Sequence, residues 1–144
     1  MDNYVKSILD SAHSFVIGAN RCLEQRPLGS GRFELPIVPA IVCGAFAIEL
    51  YFKALFKIET DTMAKKEHDL SILFSHLSQA SQVKIRTQLT LEEIDFQMKL
   101  NEIAKAFEEW RYNFESEGIR HASTAFIMNL ANASKELAED MVEA

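Results

Sequence analysis

Two charged pairs sit where charges are costly. Glu49 precedes Lys53 by one helical turn inside the otherwise apolar run VCGAFAIELYFKALF, and Arg111 precedes Glu115 by the same step, directly after Trp110. A Glu one turn before a Lys is the favourable order on a helix. A buried charge without a partner costs on the order of several kcal/mol, so these four side chains are expected to converge on one another or on a ligand. His68 follows Lys65 and Lys66 at the start of a helix, where outward N–H groups favour an anion. An imidazole there could take or give a proton near neutral pH. The competing reading is structural: most charge pairs on helices are solvated or hold only their own fold.

His13, His76 and His121 read as surface or interface residues. No H-x-x-x-H or C-x-x-C spacing joins the histidines and cysteines, so no metal site is expected. The chain also lacks a G-x-G-x-x-G, a Walker loop and a G-x-S-x-G elbow, and no cofactor is expected.

The elements that must carry these residues are helical. Val5, Ile8, Leu9, Ala12, Phe15, Val16, Ala19 and Leu23 recur at three- and four-residue steps, predicting an amphipathic helix over about 3–25. Residues 27–36 (PLGSGRFELP) read as a long loop. The next helix, about 38–58, has Pro39 in its first turn and should be the most buried element. Its Ala40, Gly44, Ala47 and Tyr51 share a face that lets another helix approach closely, within the chain or across a dimer axis. Asp69 is expected to cap a short helix bearing Leu70, Leu73, Phe74 and Leu77. Residues 81–89 alternate like a strand, but a lone strand has no partner, so helix is the reading there. Thr90-Leu91-Glu92-Glu93 looks like a capping box. It introduces one long helix over about 91–115 with Phe96, Leu100, Ile103, Phe107, Trp110 and Phe114 on a single core stripe. Gly118 interrupts it, and a last helix begins near Ala122.

The sum is an all-α bundle of five or six helices forming a single domain over 1–144. With 48% apolar residues the chain can bury a core without staples. Fifteen basic against 21 acidic residues leave a net charge of −6, which gives no uniform positive field for a nucleic-acid backbone. Any such contact must be local. Cys22 and Cys43 lie in apolar helical patterns and read as reduced core thiols. The first residues show neither the apolar block nor the cleavage site of a secretory signal, so a cytoplasmic location is expected. Residues 37–58 are long enough to cross a bilayer, yet they contain Glu49, Lys53 and Lys57, and the centre of a bundle is the preferred reading over a membrane span.

The ordered set AIELYFKALF, HDLSILFSHL and FEEWRYNFE, with its E-x-x-x-K, H-D-L and R-Y-x-x-E spacings, resembles the HEPN superfamily of nucleotide-binding helical domains over roughly 38–140. That resemblance implies a bundle that dimerises and, in many members, cleaves RNA without a metal. It makes Arg111, His68 and Glu115 the candidate catalytic residues, and Glu49, Lys53, Asp69 and Tyr112 the candidate ligand-binding set. Such members place a histidine four to six residues after the arginine, whereas here residues 116–118 are Ser, Glu and Gly, with His121 further on. His68, or failing it Glu115, would have to move the protons. Two functions follow as expectations. One is a nucleotide- or RNA-binding domain, with metal-independent endoribonuclease chemistry as its catalytic form, of a prokaryotic defence or toxin–antitoxin system. The other is a non-catalytic homodimeric subunit that binds a protein such as a nucleotidyltransferase or an antitoxin, with its charged cluster structural.

Overall fold

The computed structural model describes residues 1–64, 66–115 and 122–144. Helix α1 (Asn3–Cys22) is started by the Asp2 carboxylate, which accepts from the backbone N–H of Tyr4. Its Val5, Ile8, Leu9, Ala12, Val16 and Ala19 are buried. They pack along α2 (Ile37–Thr60), the central helix of the bundle. Pro39 fits the first turn of α2 because the N–H it lacks would have had no partner there. Among the described residues α2 is the one helix long and apolar enough to cross a membrane. Here α1, α3, α6 and α7 cover it, and Ile41, Ala45, Ile48, Tyr51, Phe52 and Leu55 are sealed in the core.

Helix α3 (Leu70–Ser75) is capped by Asp69 as expected, and Leu70, Leu73, Phe74 and Leu77 are all buried. Helix α4 (Gln79–Gln88) occupies the ambiguous stretch; its cap is Ser78, whose hydroxyl accepts from the N–H of Ser81. The last helix, α7 (Thr124–Glu143), begins at a Ser123 cap and buries Phe126, Ile127, Leu130 and Leu137. It packs against α2 and α4. The expected interruption at Gly118 lies outside the described residues.

Three expectations are corrected. Residues 26–34 are not a plain loop: β1 (Arg26–Gly29) and β2 (Arg32–Glu34) pair antiparallel as an exposed hairpin. Its tip uses three successive positive φ values, 83° at Gly29, 55° at Ser30 and 76° at Gly31, which the two glycines adopt without steric cost. The long helix over 91–115 is two pieces, α5 (Glu93–Ile103) and α6 (Ala106–Arg111), followed by a 3-10 turn at Asn113–Glu115. At the break, the carbonyl of Ala104 accepts from the N–H of Leu70, tying the bend to the start of α3. Counting the bent pair as one, the described residues hold six helices. The capping box does not form either: Thr90 turns left-handed at φ 55° to end α4, and α5 starts at Glu93 behind Glu92, without a side-chain cap.

The small-residue face of α2 is spoken for within the chain. A Cβ placed on Gly44 would lie 2.5 Å from Cγ2 of Ile127 on α7 and 3.9 Å from Cβ of Ala19 on α1. Glycine is required there so that three helices can meet, and this face supplies no argument for a dimer.

Candidate functional site

Glu49 lies in the middle of α2, and its side chain is only 1% exposed. Both of its oxygens have partners. Oε2 accepts from Lys53 Nζ at 3.1 Å, one turn along the same helix. His68, at the end of the loop leading to α3, places Nδ1 3.1 Å from Oε1 and 3.2 Å from Oε2. A carboxylate without a proton can only accept, so the tautomer that pairs with one carries its proton on Nδ1. That leaves Nε2 as the nitrogen available to a ligand on a side chain that is 46% exposed. A buried carboxylate that orients a half-exposed imidazole through Nδ1 is the arrangement in which a histidine can exchange protons at Nε2.

Phe107 links this cluster to the arginine. Its ring stacks on Phe46 of α2 with centroids 4.4 Å apart, and its centroid is 6.3 Å from that of His68. The Arg111 guanidinium carbon lies 4.6 Å from the same ring, and Arg111 Nε donates to the Phe107 carbonyl at 3.0 Å. One helical turn of spacing thus sets the cation over the aromatic face. Phe46 is braced in turn by Phe15 of α1, edge-on at 4.7 Å. The aromatic column Phe15, Phe46, Phe107 therefore fixes where Arg111 stands relative to α2.

The candidate residues divide clearly. Glu49, Lys53 and His68 touch, and Arg111 flanks them across Phe107. Asp69 spends its carboxylate as a cap, with Oδ1 accepting from the N–H groups of Ser71 and Ile72. The N–H groups of His68 and Asp69 both donate to Oε1 of Glu67, at 3.0 Å each. The backbone donors expected to hold an anion beside His68 are thus already used, and those contacts keep the Glu67 carboxyl below its ordinary range, the bond from Asp69 foremost. Glu115 is exposed on the 3-10 turn, and the expected Arg111–Glu115 pair does not form, because the helix stops at Arg111 and the four-residue step is lost. Tyr112 is exposed, its ring 5.5 Å from the Arg111 guanidinium carbon. Lys65 and His121 lie outside the described residues.

A 290 Å³ depression opens beside Asp69, walled by Ser71, Asn101, Lys105 and Glu109, one residue along the chain from His68. A 500 Å³ groove between α4 and α7, near Val83, Thr87 and Leu137, carries none of the candidate residues. Among the described residues no group of three or more His, Cys, Asp or Glu side chains is placed to hold a metal ion.

Sequence reasoning missed a second polar contact. His13 Nδ1 meets the hydroxyl of the wholly buried Tyr51 at 2.6 Å, across α1 and α2. Nothing in the spacing of residues 38 apart signals it. Burial pushes the Tyr51 hydroxyl well above its usual range, with the charge of Glu139 adding to it. The cysteines are free and only half buried, not sealed in the core, and burial, with Cys22 beside it, pushes the Cys43 thiol up.

Comparison of the chain with models of known families, with curated proteins and with solved structures finds no match.

Proposed function

We propose that this chain is a HEPN-like domain that binds a phosphate of RNA or of a nucleotide between Arg111 and His68, as a homodimer in a prokaryotic defence or toxin–antitoxin setting. The dimer and the setting rest on the sequence resemblance. The site rests on one observation: a buried carboxylate, Glu49, aims a half-exposed imidazole, and the Phe107 ring that lies 6.3 Å from that imidazole also carries, at 4.6 Å, a guanidinium that pairs with no described carboxylate. Arg111 would meet the phosphate, Lys53 would hold the Glu49 carboxylate in place, and His68 Nε2 would be the group that accepts a 2′-hydroxyl proton if the bound strand is cleaved. Cleavage also needs a proton for the leaving oxygen, and none of the described neighbours is placed as obviously as His68. Binding with slow or absent turnover is therefore the favoured form of this proposal.

A second reading has its own support. Both oxygens of Glu49 are already satisfied inside the chain, which is what a structural ion pair requires. On that reading the protein is a non-catalytic interaction subunit.

Incubating purified protein with single-stranded RNA in EDTA separates the two. The binding reading expects Arg111→Ala to cost about 1.5–3 kcal/mol of affinity, the range for a hydrogen bond to a charged group, and expects added salt to weaken binding. Cleavage by the wild type that disappears in both Arg111→Ala and His68→Ala would make it a ribonuclease. Unchanged RNA affinity in Arg111→Ala, together with a lowered Tm, would leave the structural reading standing.

A further inference from the structure

The aromatic stripe that was expected to be core throughout ends in the open. Phe96, Leu100 and Ile103 are sealed and α6 still packs on α2, but past the end of α6 at Arg111 the stripe emerges, with Phe114 80% exposed and Tyr112 53% exposed. Their rings lie 6.4 Å apart, tilted by 49°. Exposed apolar side chains scattered singly are ordinary on a protein surface. This pair differs because Arg111 stands over its Tyr112 member, the guanidinium carbon 5.5 Å from the Tyr112 ring and 4.6 Å from that of Phe107, with no described carboxylate within ion-pair distance. Flat apolar faces beside a cation that pairs with no described carboxylate match a ligand that alternates flat rings with anionic groups. A nucleic-acid strand has that composition, and stacking on aromatic side chains next to a cation is how single strands are held. A duplex hides its base faces in its own stack and cannot use the platform.

We infer that Tyr112 and Phe114 form a base-stacking subsite that makes single-stranded RNA, rather than a free nucleotide or a duplex, the ligand of the Arg111 site. The inference rests on the phosphate-binding reading above. It assigns Phe114 a positioning role: it seats a base so that the adjoining phosphate meets Arg111.

The test uses the full-length protein and three labelled probes read by fluorescence anisotropy: a short oligouridine, the same ribose-phosphate strand without bases, and a duplex RNA. The wild type should bind oligouridine more tightly than either of the others. Phe114→Ala should weaken oligouridine binding about fivefold to a hundredfold, the range for losing one stacked base, without changing affinity for the baseless strand. Phe114→Trp should restore binding, which a merely structural role would not do. Arg111→Ala should weaken both single strands. If Arg111→Ala weakens binding while Phe114→Ala binds as the wild type does, the stacking subsite is wrong and the phosphate site survives. If the wild type binds neither strand, both fall together. A Phe114→Ala protein with altered self-association and unaltered RNA affinity would show the platform to be a contact between copies and overturn the inference.

Discussion

His68 Nδ1 lies 3.1 Å from Oε1 of Glu49, so a loop residue is anchored to the middle of the most buried helix. The bond joins the start of α3 to α2 and orients the imidazole proposed as the proton carrier of the site. Removing the carboxylate should therefore cost more than removing the imidazole. Glu49→Ala is expected to destabilise the protein by roughly 2–3 kcal/mol, less than the loss for a fully buried pair, because Lys53 and His68 can reach water. His68→Ala should cost about 1 kcal/mol, the loss of one hydrogen bond at a half-exposed position. Urea denaturation of the two variants checks the order; equal costs would mean that the loop is not held through Glu49.

Phe107 should matter to Arg111 in a way its partial burial does not suggest. Phe107→Leu keeps apolar volume against Phe46 but removes the ring face under the guanidinium. A double-mutant cycle between Phe107→Leu and Arg111→Ala should give a coupling of about 0.5–1 kcal/mol, the worth of an exposed cation–π contact. Strict additivity would show that the ring does not hold the arginine.

The His13–Tyr51 contact predicts a pH dependence. Burial, with Lys135 adding to it, holds the His13 imidazole below its ordinary value of 6.5, against the opposite pull of Glu139 and Asp10. A histidine whose folded value is depressed favours folding in its neutral form. Its contribution is complete above the unfolded value and is lost as pH falls through 6.5 toward the lower folded value. The Tm should therefore drop on acidification across this window, and His13→Gln should flatten that part of the profile. Tyr51→Phe should cost about 0.5–1.5 kcal/mol at neutral pH for the lost hydrogen bond. A profile in His13→Gln as steep as the wild type would place the acid sensitivity elsewhere.

Gly44→Ala tests the meeting point of α1, α2 and α7. Alanine is the better helix former by about 0.5–1 kcal/mol, but its methyl would sit 2.5 Å from Cγ2 of Ile127, a stiff β-branched residue sealed in the core. Overpacking should win, for a net loss of about 1–2 kcal/mol. Adding Ile127→Ala should recover part of that loss relative to the sum of the single changes, because the two sites share one contact. Independent effects would contradict the close approach.

Much of this was legible in one dimension. The 0, 3, 4, 7 spacing of Leu70, Leu73, Phe74 and Leu77 and the Asp69 cap are local patterns, and local patterns fold as they read. So did the burial of α2, since a helix that is apolar nearly all round has only the centre of a bundle to occupy. The Glu49–Lys53 pair followed from its four-residue step alone. Tertiary structure decided the rest. The break between Ile103 and Ala106 goes with the Ala104 carbonyl finding the N–H of Leu70, a bond between residues far apart in the chain, and the end of α6 at Arg111 leaves Phe114 an exposed residue rather than a core one. Past the bend, α6 stops at Arg111 and gives way to a 3-10 turn, which undoes the Arg111–Glu115 pair that the spacing promised. The face of Ala40, Gly44 and Ala47 could have met a second copy as well as α7, because a small-residue face states only that something packs closely there. Periodicity records which side of a helix is apolar, but the identity of the neighbour is a property of the folded chain.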